Sequence, residues 1–268
     1  MTFTKTDLPL ISIIIPAYNS GNTIERSLES IRKQNSRNFE VLIIDAVSKD
    51  NTLELARKYE KHFQLLIFSE ADRGIYDAMN KGIALAKGKW VYFLGSDDEL
   101  YAPDTLQKVA EYLQPGIDVI YGNVFSSRFG GVYAGSFDQK KIFNQNICHQ
   151  SIFFNKDVFK QTGLFDLSYK IWADHDHNFK WFLPGNIKHR FVDVIVANYA
   201  DGGASSLSPD HAFTKMKNWL YSFQLRNQTI GRTRFWILRR ELWSALKEGR
   251  IKNFSTITLQ SGKYLLNL

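Results

Sequence analysis

The chain has 268 residues, 44% of them hydrophobic, which is enough for one large domain or one domain with a small appendage. Its single cysteine, Cys148, excludes a disulfide framework and a cysteine-rich zinc site, and no apolar run approaches the roughly 18 residues that span a membrane. Residues 1–9 lack the basic start and apolar stretch of a signal peptide, so we expect a cytoplasmic protein whose net charge of +7 favours an anionic partner.

Apolar runs alternate with amphipathic segments over the first part of the chain. We predict strands at residues 11–15, 41–44, 65–68 and 90–94. Helices are expected to begin near residues 24, 52 and 76, the first with Ile24, Leu28 and Ile31 on one face. Strands that alternate with helices of about ten to fifteen residues imply parallel crossovers. The pattern therefore predicts an α/β fold, a Rossmann-like, mostly parallel sheet flanked by helices.

The alternation continues once and then becomes irregular. A helix at 104–113 and a strand at 119–121 follow the fourth predicted strand. Residues 126–136 are rich in Gly, Ser and aromatic residues and indicate an antiparallel hairpin. A strand at 151–154, a helix at 173–182 and a strand at 191–199 complete the pattern. We expect a domain over residues 1–210, with a regular half at about 10–122 and a smaller antiparallel element in a half at about 123–210.

Two adjacent carboxylates, Asp97 and Asp98, follow the predicted buried strand at 90–94. In an open α/β sheet, ligands bind just outside the carboxyl ends of the strands. Two carboxylates there suit a hard divalent cation that holds a phosphate-bearing substrate. An acidic turn that caps the helix starting near Pro103 explains these two residues equally well when they are taken alone.

Carboxylates also follow the second and third predicted strands, as Asp45 and Asp72. Parallel strands place these ends along one edge of the sheet, so the carboxylates are expected to line one crevice. No G-x-G-x-x-G follows the first strand, and no Walker-type loop ends in Lys-Ser or Lys-Thr. A hydride-transferring Rossmann enzyme and a P-loop NTPase are therefore disfavoured. The remaining possibility is a nucleotide that is bound by side chains and whose diphosphate is bridged by a metal.

Four motifs occur in a set order, and together they resemble the family 2 glycosyltransferases, which have the GT-A fold. They are Ile-Ile-Pro16-Ala17-Tyr18-Asn19, Ile-Asp45-Ala-Val-Ser48-Lys-Asp50-Asn-Thr, Gly74-Ile-Tyr-Asp-Ala-Met-Asn80-Lys-Gly82 and Phe-Leu-Gly-Ser-Asp97-Asp98. The resemblance covers roughly residues 10–205. It implies a metal-dependent, inverting sugar transfer from a nucleotide diphosphate sugar, with the donor bound by the half at about 10–122 and the acceptor by the half at about 123–210.

The resemblance also implies roles for residues of the donor half. Asp97 and Asp98 match the acidic metal motif for Mg²⁺ or Mn²⁺, with Asp98 as the direct ligand and Asp97 nearer the ribose or sugar. Other donor contacts are expected from Pro16, Ala17, Tyr18, Asp45, Asp72, Arg73 and Asn80. Two departures stand out, because Ala46 replaces a second Asp and Met79 replaces an Arg that the family often has. Arg73 would then supply the missing positive charge.

An inverting transfer needs a base that removes the proton of the acceptor hydroxyl. The family places an acidic cluster for this at the start of a helix, and Trp172-Ala-Asp174-His-Asp176-His-Asn is the match. We expect Asp174 to be the base and Asp176 to be the second candidate, with helix N-capping as the simpler role of Asp174. His175 and His177 are two residues apart and do not have the spacing of a helical zinc pair.

A His-Gln pair, His149 and Gln150, precedes the predicted strand at 151–154. It resembles a pair found in many sugar transferases of this type, which implies contacts with the donor phosphate or with the acceptor. A histidine bonded to backbone at the start of a strand is the alternative.

The last part of the chain differs from the rest in charge. Residues 211–268 carry eleven Lys and Arg against two Glu, a net of +9, which leaves −2 for the first 210 residues. Phe235, Leu238, Leu242 and Leu246 have the spacing of an amphipathic helix. We predict a basic, aromatic-rich helical extension that contacts an anionic membrane surface through 212–252. Helices packed on the domain or on a second copy are the alternative, and nucleic acid is not an expected partner.

These observations predict a glycosyltransferase on the inner face of the cell membrane. It would transfer a sugar, from a UDP-sugar by resemblance, to a hydroxyl of a glycan or lipid-linked oligosaccharide in polysaccharide biosynthesis. The alternative is a non-catalytic nucleotide-sugar-binding or membrane-associated scaffold protein of the same fold, because Ala46, Met79 and Ala173 depart from the family pattern.

Overall fold

The computed structural model describes residues 8–133, 135–200, 213–214 and 216–218. The chain divides into two compact units, residues 1–210 and 211–268, and the sheet lies within the first. The predicted basic helical extension lies outside the described residues, except for short helical pieces at 213–214 and 216–218. Across the part of the chain that is described, no helix is long and apolar enough to cross a bilayer.

Strands and helices alternate through the first half as the sequence predicts. The elements of this half are β1 (Ile11–Ala17), α1 (Ile24–Arg32), β2 (Phe39–Asp45), α2 (Thr52–Arg57), β3 (Leu65–Ser69), α3 (Ile75–Leu85), β4 (Trp90–Phe93), β5 (Glu99–Leu100) and α4 (Thr105–Ala110). The second half contains β6 (Val119–Ser126), β7 (Gly131–Tyr133), α5 (Gln139–Asn144), β8 (Ile152–Asn155), α6 (Val158–Thr162), α7 (Ala173–Phe182) and β9 (His189–Asn198). Short 3₁₀ turns at Ser127–Phe129 and His149–Ser151 join elements of this half.

The strands form one mixed sheet in the order β3-β2-β1-β4-β8-β6-β9-β5, with β7 added to β6. β1, β2, β3 and β4 pair in parallel, and so do β6 and β9. β8 is antiparallel to both β4 and β6, so it joins the parallel half to the irregular half. The predicted mostly parallel sheet with a smaller antiparallel element is therefore confirmed.

The central strands of the first half are buried on both faces, whereas the edge strand β3 is not. Every residue of β1, β2 and β4 is buried. α3 packs so closely on β1 that a Cβ atom added to Gly82 would lie 2.4 Å from Cγ2 of Ile14. In the sheet, Tyr92 of β4 stacks on Phe153 of β8 with ring centroids 4.5 Å apart.

A crevice opens where β1 and β4 separate. The register pairs residues 11–14 of β1 with β4, and the Leu94 N–H donates to the Ile14 carbonyl at 3.0 Å. Pro16 has no N–H and cannot extend this ladder toward β4. Strand order reverses at β1, so this is the topological switch point at which open α/β sheets bind ligands.

Several elements differ from their predicted bounds. α4 is shorter than the predicted helix at 104–113, and β6 extends well beyond the predicted strand at 119–121. β5, α5 and α6 have no counterpart among the predicted elements. β5 has only two residues, Glu99 and Leu100, and exists because they pair with Asn198 and Ala197 of β9. Such a contact between distant segments leaves no local periodicity to detect.

Candidate functional site

The loop after β4 carries the Asp97–Asp98 pair and depends on a glycine. A Cβ atom at Gly95 would lie 2.4 Å from Oδ2 of Asp98 and 2.8 Å from Oδ1 of Asp97, so both carboxylates can turn back over this residue. α1 anchors the loop, because Arg26 Nη2 donates to the Asp97 carbonyl at 2.9 Å and Ser27 Oγ donates to the Gly95 carbonyl at 3.3 Å.

Asp98 is buried, and both of its carboxylate oxygens accept a hydrogen bond from the second half of the domain. Gln150 Nε2 donates to Oδ2 at 2.8 Å, and the Ala200 N–H donates to Oδ1 at 2.8 Å. Burial, together with the charge of Asp97, raises the pKa of Asp98 to about 6 despite these two bonds. The pair thus holds negative charge that its surroundings do not fully compensate.

The Asp97–Asp98 pair fits the divalent cation that the resemblance implies. Carboxylate oxygens are hard ligands, and each oxygen of Asp98 keeps a lone pair beyond its single hydrogen bond. Within the described residues, no group of three His, Cys, Asp or Glu side chains is arranged to hold a metal ion. A bound diphosphate and water can supply further ligands, as is common for Mg²⁺.

The second acidic centre is Asp174, in the first turn of α7. Three side chains from two segments of the chain surround it. Asn146 Nδ2 donates to Oδ2 at 2.8 Å, and His149 Nδ1 lies 3.4 Å from the same oxygen. The Tyr76 hydroxyl lies 3.0 Å from Oδ1 and also contacts the Ile171 carbonyl. The alternative role of Asp174 as the N-cap is wrong, because Trp172 occupies the N-cap position and α7 has no side-chain capping bond. The backbone bond that Asp174 Oδ1 does accept comes from the N–H of the next residue, His175, at 2.9 Å.

These contacts keep Asp174 ionised although it is buried. Burial raises the pKa of the Asp174 carboxyl, but the hydrogen bond and charge of His149 outweigh it, and the net pKa lies below its usual value. Asp174 is therefore a carboxylate at neutral pH, in the state that a general base requires.

The two acidic centres are joined by the 3₁₀ turn at His149–Ser151. His149 lies against Asp174, and Gln150, the next residue, donates to Asp98. The Cα atoms of adjacent residues are about 3.8 Å apart, so one short turn sets the spacing of the two carboxylates. Ser151 secures the turn, because its Oγ donates to the Cys148 carbonyl at 2.8 Å.

Asp176 belongs to a different environment from Asp174. Its carboxylate forms an ion pair with Lys180 one turn along α7, with Nζ and Oδ2 2.6 Å apart. Burial raises its pKa despite the lysine. The neighbouring histidines lie in the core, where His175 Nε2 is 2.7 Å from the Ile142 carbonyl and His177 Nε2 is 2.9 Å from Thr162 Oγ1. The structure thus brings Asp174, and not Asp176, to His149.

The loops after β1 and β2 form a separate polar network near the crevice. Asp45 is fully buried and accepts from the hydroxyls of Ser48 and Ser69 at 2.5 and 2.6 Å. The Asn19 N–H donates to Ser48 Oγ at 2.8 Å, which ties the first loop to the second. Pro16 and Ala17 are buried at the end of β1, whereas Tyr18 is 64% exposed and available to a ligand.

The remaining predicted donor contacts occupy the loop before α3 and the helix itself. Asp72 Oδ1 accepts from the Gly74 N–H at 2.8 Å, and the exposed Arg73 pairs with Asp77 at 3.1 Å. Asn80 uses both ends of its amide on the backbone of Phe165, with distances of 2.9 and 3.0 Å. Asn80 therefore has a structural role, because it holds the segment before α7 in place.

Three residues of the site have no counterpart among those predicted from the sequence. Tyr76 lies inside the Gly74–Gly82 motif but carried no expected role, and Asn146 stands just before the His-Gln pair. Ala200 contributes only its backbone N–H to Asp98. Proximity to a motif was an available signal for the first two residues. A backbone donor from the distant segment after β9 leaves no such signal in the sequence.

Comparisons with known proteins agree on one family. The model of the glycosyl transferase family 2 matches residues 12–178. A PGL/p-HBAD biosynthesis glycosyltransferase of Mycobacterium bovis (strain BCG / Pasteur 1173P2) is 38% identical over 214 residues, covering 77% of this chain and 83% of that protein. The glycosyltransferase AglE of Haloferax volcanii is 29% identical over 171 residues, 59% of this chain and 56% of that protein.

Solved structures show the same architecture. S. aureus TarS 1-349 in complex with UDP-GlcNAc aligns with a TM-score of 0.64 and 23% identity, covering 75% of this chain and 61% of that one. The mannosyltransferase PcManGT of Pyrobaculum calidifontis, in complex with GDP-Man and Mn²⁺, aligns with a TM-score of 0.60 and 17% identity over 98% of this chain and 86% of that one. The resemblance seen in the four sequence motifs is thus confirmed, and this chain belongs to the family 2 glycosyltransferases and has the GT-A fold.

Proposed function

We propose that the chain is a metal-dependent, inverting glycosyltransferase that transfers a sugar from a UDP-sugar to a hydroxyl of a glycan or lipid-linked oligosaccharide. Asp98 and Asp97 hold Mg²⁺ or Mn²⁺ with the donor diphosphate, and Asp174 is the general base. The observation that carries this proposal is the His149–Ser151 turn, which contacts Asp174 through one residue and Asp98 through the next.

The donor side of the proposal rests on the crevice at the switch point. Tyr18 is exposed there, Asp45 lies at the end of β2, and Asp97 and Asp98 follow β4. TarS 1-349 is described with UDP-GlcNAc, and PcManGT with GDP-Man and Mn²⁺, so nucleotide diphosphate sugars and a divalent cation suit this fold. The cation supplies Lewis-acid stabilisation of the departing diphosphate when it is bound.

The reaction is a displacement at the anomeric carbon. The acceptor oxygen forms a bond to that carbon from the face opposite the diphosphate, and the bond between the carbon and the phosphate oxygen breaks. The proton of the acceptor hydroxyl moves to the Asp174 carboxylate, and the nucleotide diphosphate leaves with its electron pair. Asn146, His149 and Tyr76 keep the carboxylate oriented while it takes the proton.

The proposed acceptor and location are supported by the name of one relative and by the charge of the last part of the chain. The Mycobacterium bovis relative is named for PGL/p-HBAD biosynthesis, which supports a role in glycan biosynthesis for this chain. The basic residues of 212–252 would bring the enzyme to an anionic membrane, on the cytoplasmic face, where a lipid-linked acceptor is available.

Calorimetric titration with UDP-GlcNAc, UDP-glucose and GDP-mannose, with and without Mn²⁺, tests the donor site. We expect binding of a uridine donor that needs the cation and is lost in Asp98→Ala. Asp157→Ala is the matched control, because Asp157 is an exposed carboxylate paired only with Lys160 in the described part of the chain. Binding that is independent of Mn²⁺, or unchanged in Asp98→Ala, would contradict the proposal.

Turnover separates an enzyme from a scaffold protein of the same fold. We expect slow hydrolysis of the bound donor by the wild-type enzyme and faster consumption with a suitable acceptor. Metal-dependent donor binding without turnover on a broad acceptor panel would favour the scaffold, which the departures at Ala46, Met79 and Ala173 motivate.

A further inference from the structure

Three aromatic rings stack at the end of the sheet next to the site. Phe129 lies between Tyr133 and Tyr199, with ring centroids 4.4 Å and 5.7 Å away and interplanar angles of 26° and 27°. Phe129 is nevertheless 39% exposed, so the stack is not an ordinary part of the core. We call these three residues the aromatic stack.

The turn that carries Phe129 holds it in this exposed position. Ser126 precedes the 3₁₀ turn at Ser127–Phe129 and accepts from the Arg128 N–H at 3.2 Å. Gly130 ends the turn with a φ of 73°, in the left-handed region that favours glycine. The turn therefore has a built conformation that presents an apolar ring to solvent.

The aromatic stack is connected to both acidic centres. The Tyr133 hydroxyl donates to the Asn146 carbonyl at 3.0 Å, and the side chain of Asn146 donates to Asp174 at 2.8 Å. On the other side, Tyr199 is followed by Ala200, whose N–H donates to Asp98. The stack is thus one bond from Asn146, which holds the base, and one residue from Ala200, which holds the metal ligand.

We propose that the aromatic stack is the subsite for the acceptor sugar, an inference that rests on the proposed transferase function. Both tyrosines stack on Phe129, so a ligand can contact only the exposed part of its ring. A sugar ring has C–H groups on its faces and hydroxyls at its rim, so it can pack against this exposed part while its hydroxyls remain free. Arg128, whose guanidinium lies 5.9 Å from the Phe129 centroid, provides donors for those hydroxyls.

The opposite face of the same strand pair provides a matched control. Phe125 and Val132 are cross-strand partners in β6 and β7, one position away from the Val124–Tyr133 pair that faces the core. Side chains alternate between faces along a strand, so Phe125 points away from the aromatic stack. Its exposed fraction, 39%, equals that of Phe129.

The experiment compares Phe129→Ala with Phe125→Ala in transfer to methyl glycosides of glucose, mannose, N-acetylglucosamine and rhamnose. The donor is the one that calorimetry selects. We expect the KM for the acceptor to rise about tenfold in Phe129→Ala, the size of a lost aromatic contact, with little change in kcat. Phe125→Ala should match the wild type. Equal behaviour of the two variants, or transfer to none of the glycosides, would overturn the proposal.

Two further measurements distinguish the sugar from other occupants and from a failure of the proposed function. p-Nitrophenyl glycosides of the same sugars should show the same rise in KM, whereas a rise confined to them would assign the stack to an aglycone and contradict the proposal. Hydrolysis of the donor in water does not use the acceptor subsite, so we expect both variants to retain it. Loss of that hydrolysis in Phe129→Ala alone would overturn the subsite assignment, whereas its absence from the wild type would contradict the transferase function itself.

Discussion

The polar residues around the crevice fall into two regions of different construction. In the first region, the loops after β1 and β2 bond to each other, as in the bonds from the Asn19 N–H to Ser48 and from the Gly21 N–H to Asp50. In the second region, Asp98 receives bonds from the 3₁₀ turn at His149–Ser151 and from the segment after β9, and Asp174 receives one from the segment before that turn. The first region joins two neighbouring loops, whereas the second joins segments up to about a hundred residues apart.

Asp45 of the first region and Asp98 of the second differ in how far their surroundings compensate the carboxylate charge. Asp45 is fully buried, yet serine hydroxyls and a backbone N–H satisfy its oxygens. Asp98 is as well hydrogen-bonded, but its pKa is raised by burial and by the adjacent Asp97. Asp45 therefore supports structure, whereas the charge of Asp98 is held without full compensation and is available to a ligand. Asp174 is instead kept ionised by its own partners. We therefore expect substitutions in the second region to impair catalysis and those at structural positions to lower stability.

The largest effect is expected from Asp174→Asn. Loss of the general base should lower kcat about a thousandfold, within the usual range for this contribution, with little change in the affinity for the donor. Asp176→Asn is the comparison, because that carboxylate pairs with Lys180. We expect it to lower the melting temperature but to keep kcat within about threefold of wild type. Steady-state kinetics and thermal unfolding of both variants test this expectation. A larger loss of kcat in Asp176→Asn than in Asp174→Asn would identify Asp176 as the base.

A smaller loss is expected when the bond between Gln150 and Asp98 is removed. Gln150→Ala deletes a hydrogen bond to a charged group, which contributes about 1.5–3 kcal/mol, so donor binding with Mn²⁺ should weaken about 10- to 100-fold. Gln145→Ala is the control, since Gln145 is exposed five residues earlier. Unchanged donor affinity in Gln150→Ala would show that the orientation of Asp98 does not depend on the 3₁₀ turn at His149–Ser151.

The effect of His149→Ala is expected to depend on pH. Burial raises the pKa of Asp174 and His149 lowers it, so removing the histidine leaves the raising influence and the pKa increases. The base must be deprotonated to act, so the acid limb of kcat/KM should move to higher pH. Activity should fall more near pH 6 than near pH 8, while the exposed His62→Ala control keeps the wild-type profile. A uniform loss at every pH would instead indicate a purely steric role for His149.

The smallest effect on activity is expected from Asn80→Ala. Its amide is bonded at both ends to the Phe165 backbone, so the loss leaves backbone groups without these partners. We expect the free energy of unfolding to fall by about 1–3 kcal/mol while donor affinity stays within about threefold. Urea unfolding and calorimetry check the two quantities. If the donor affinity drops while the free energy of unfolding is unchanged, Asn80 makes the donor contact that the sequence motif predicts.

The family and most of the sheet were predictable from local patterns. β-Branched runs such as residues 11–15 and the helical spacing of Ile24, Leu28 and Ile31 define their elements without help from distant residues. α7 was predicted with the bounds that the structure shows. The strand β5 was missed because it is two residues long and is formed only by pairing with β9.

The site was predictable in its acidic residues but not in its connections. Asp98 and Asp174 were expected from motifs, whereas the bond from Gln150 to Asp98 and that from Asn146 to Asp174 were not. A side chain that bonds a carboxylate 52 or 28 residues away has no periodicity, and the bonds form only when β8 inserts beside β4. Asn80 shows the opposite case, because a motif residue acquires a structural task from the tertiary fold.

The sequence by itself determined the α/β class, the four ordered motifs and the chemical character of the residues after β4, since each depends on short-range patterns. Only the tertiary structure decided which carboxylate of α7 meets His149, and that one turn sets the spacing of Asp174 and Asp98. It also decided that Phe129 is stacked and yet exposed beside them. The physical reason is that burial and long-range hydrogen bonds set the charge state and orientation of these groups, and both arise from contacts between distant segments.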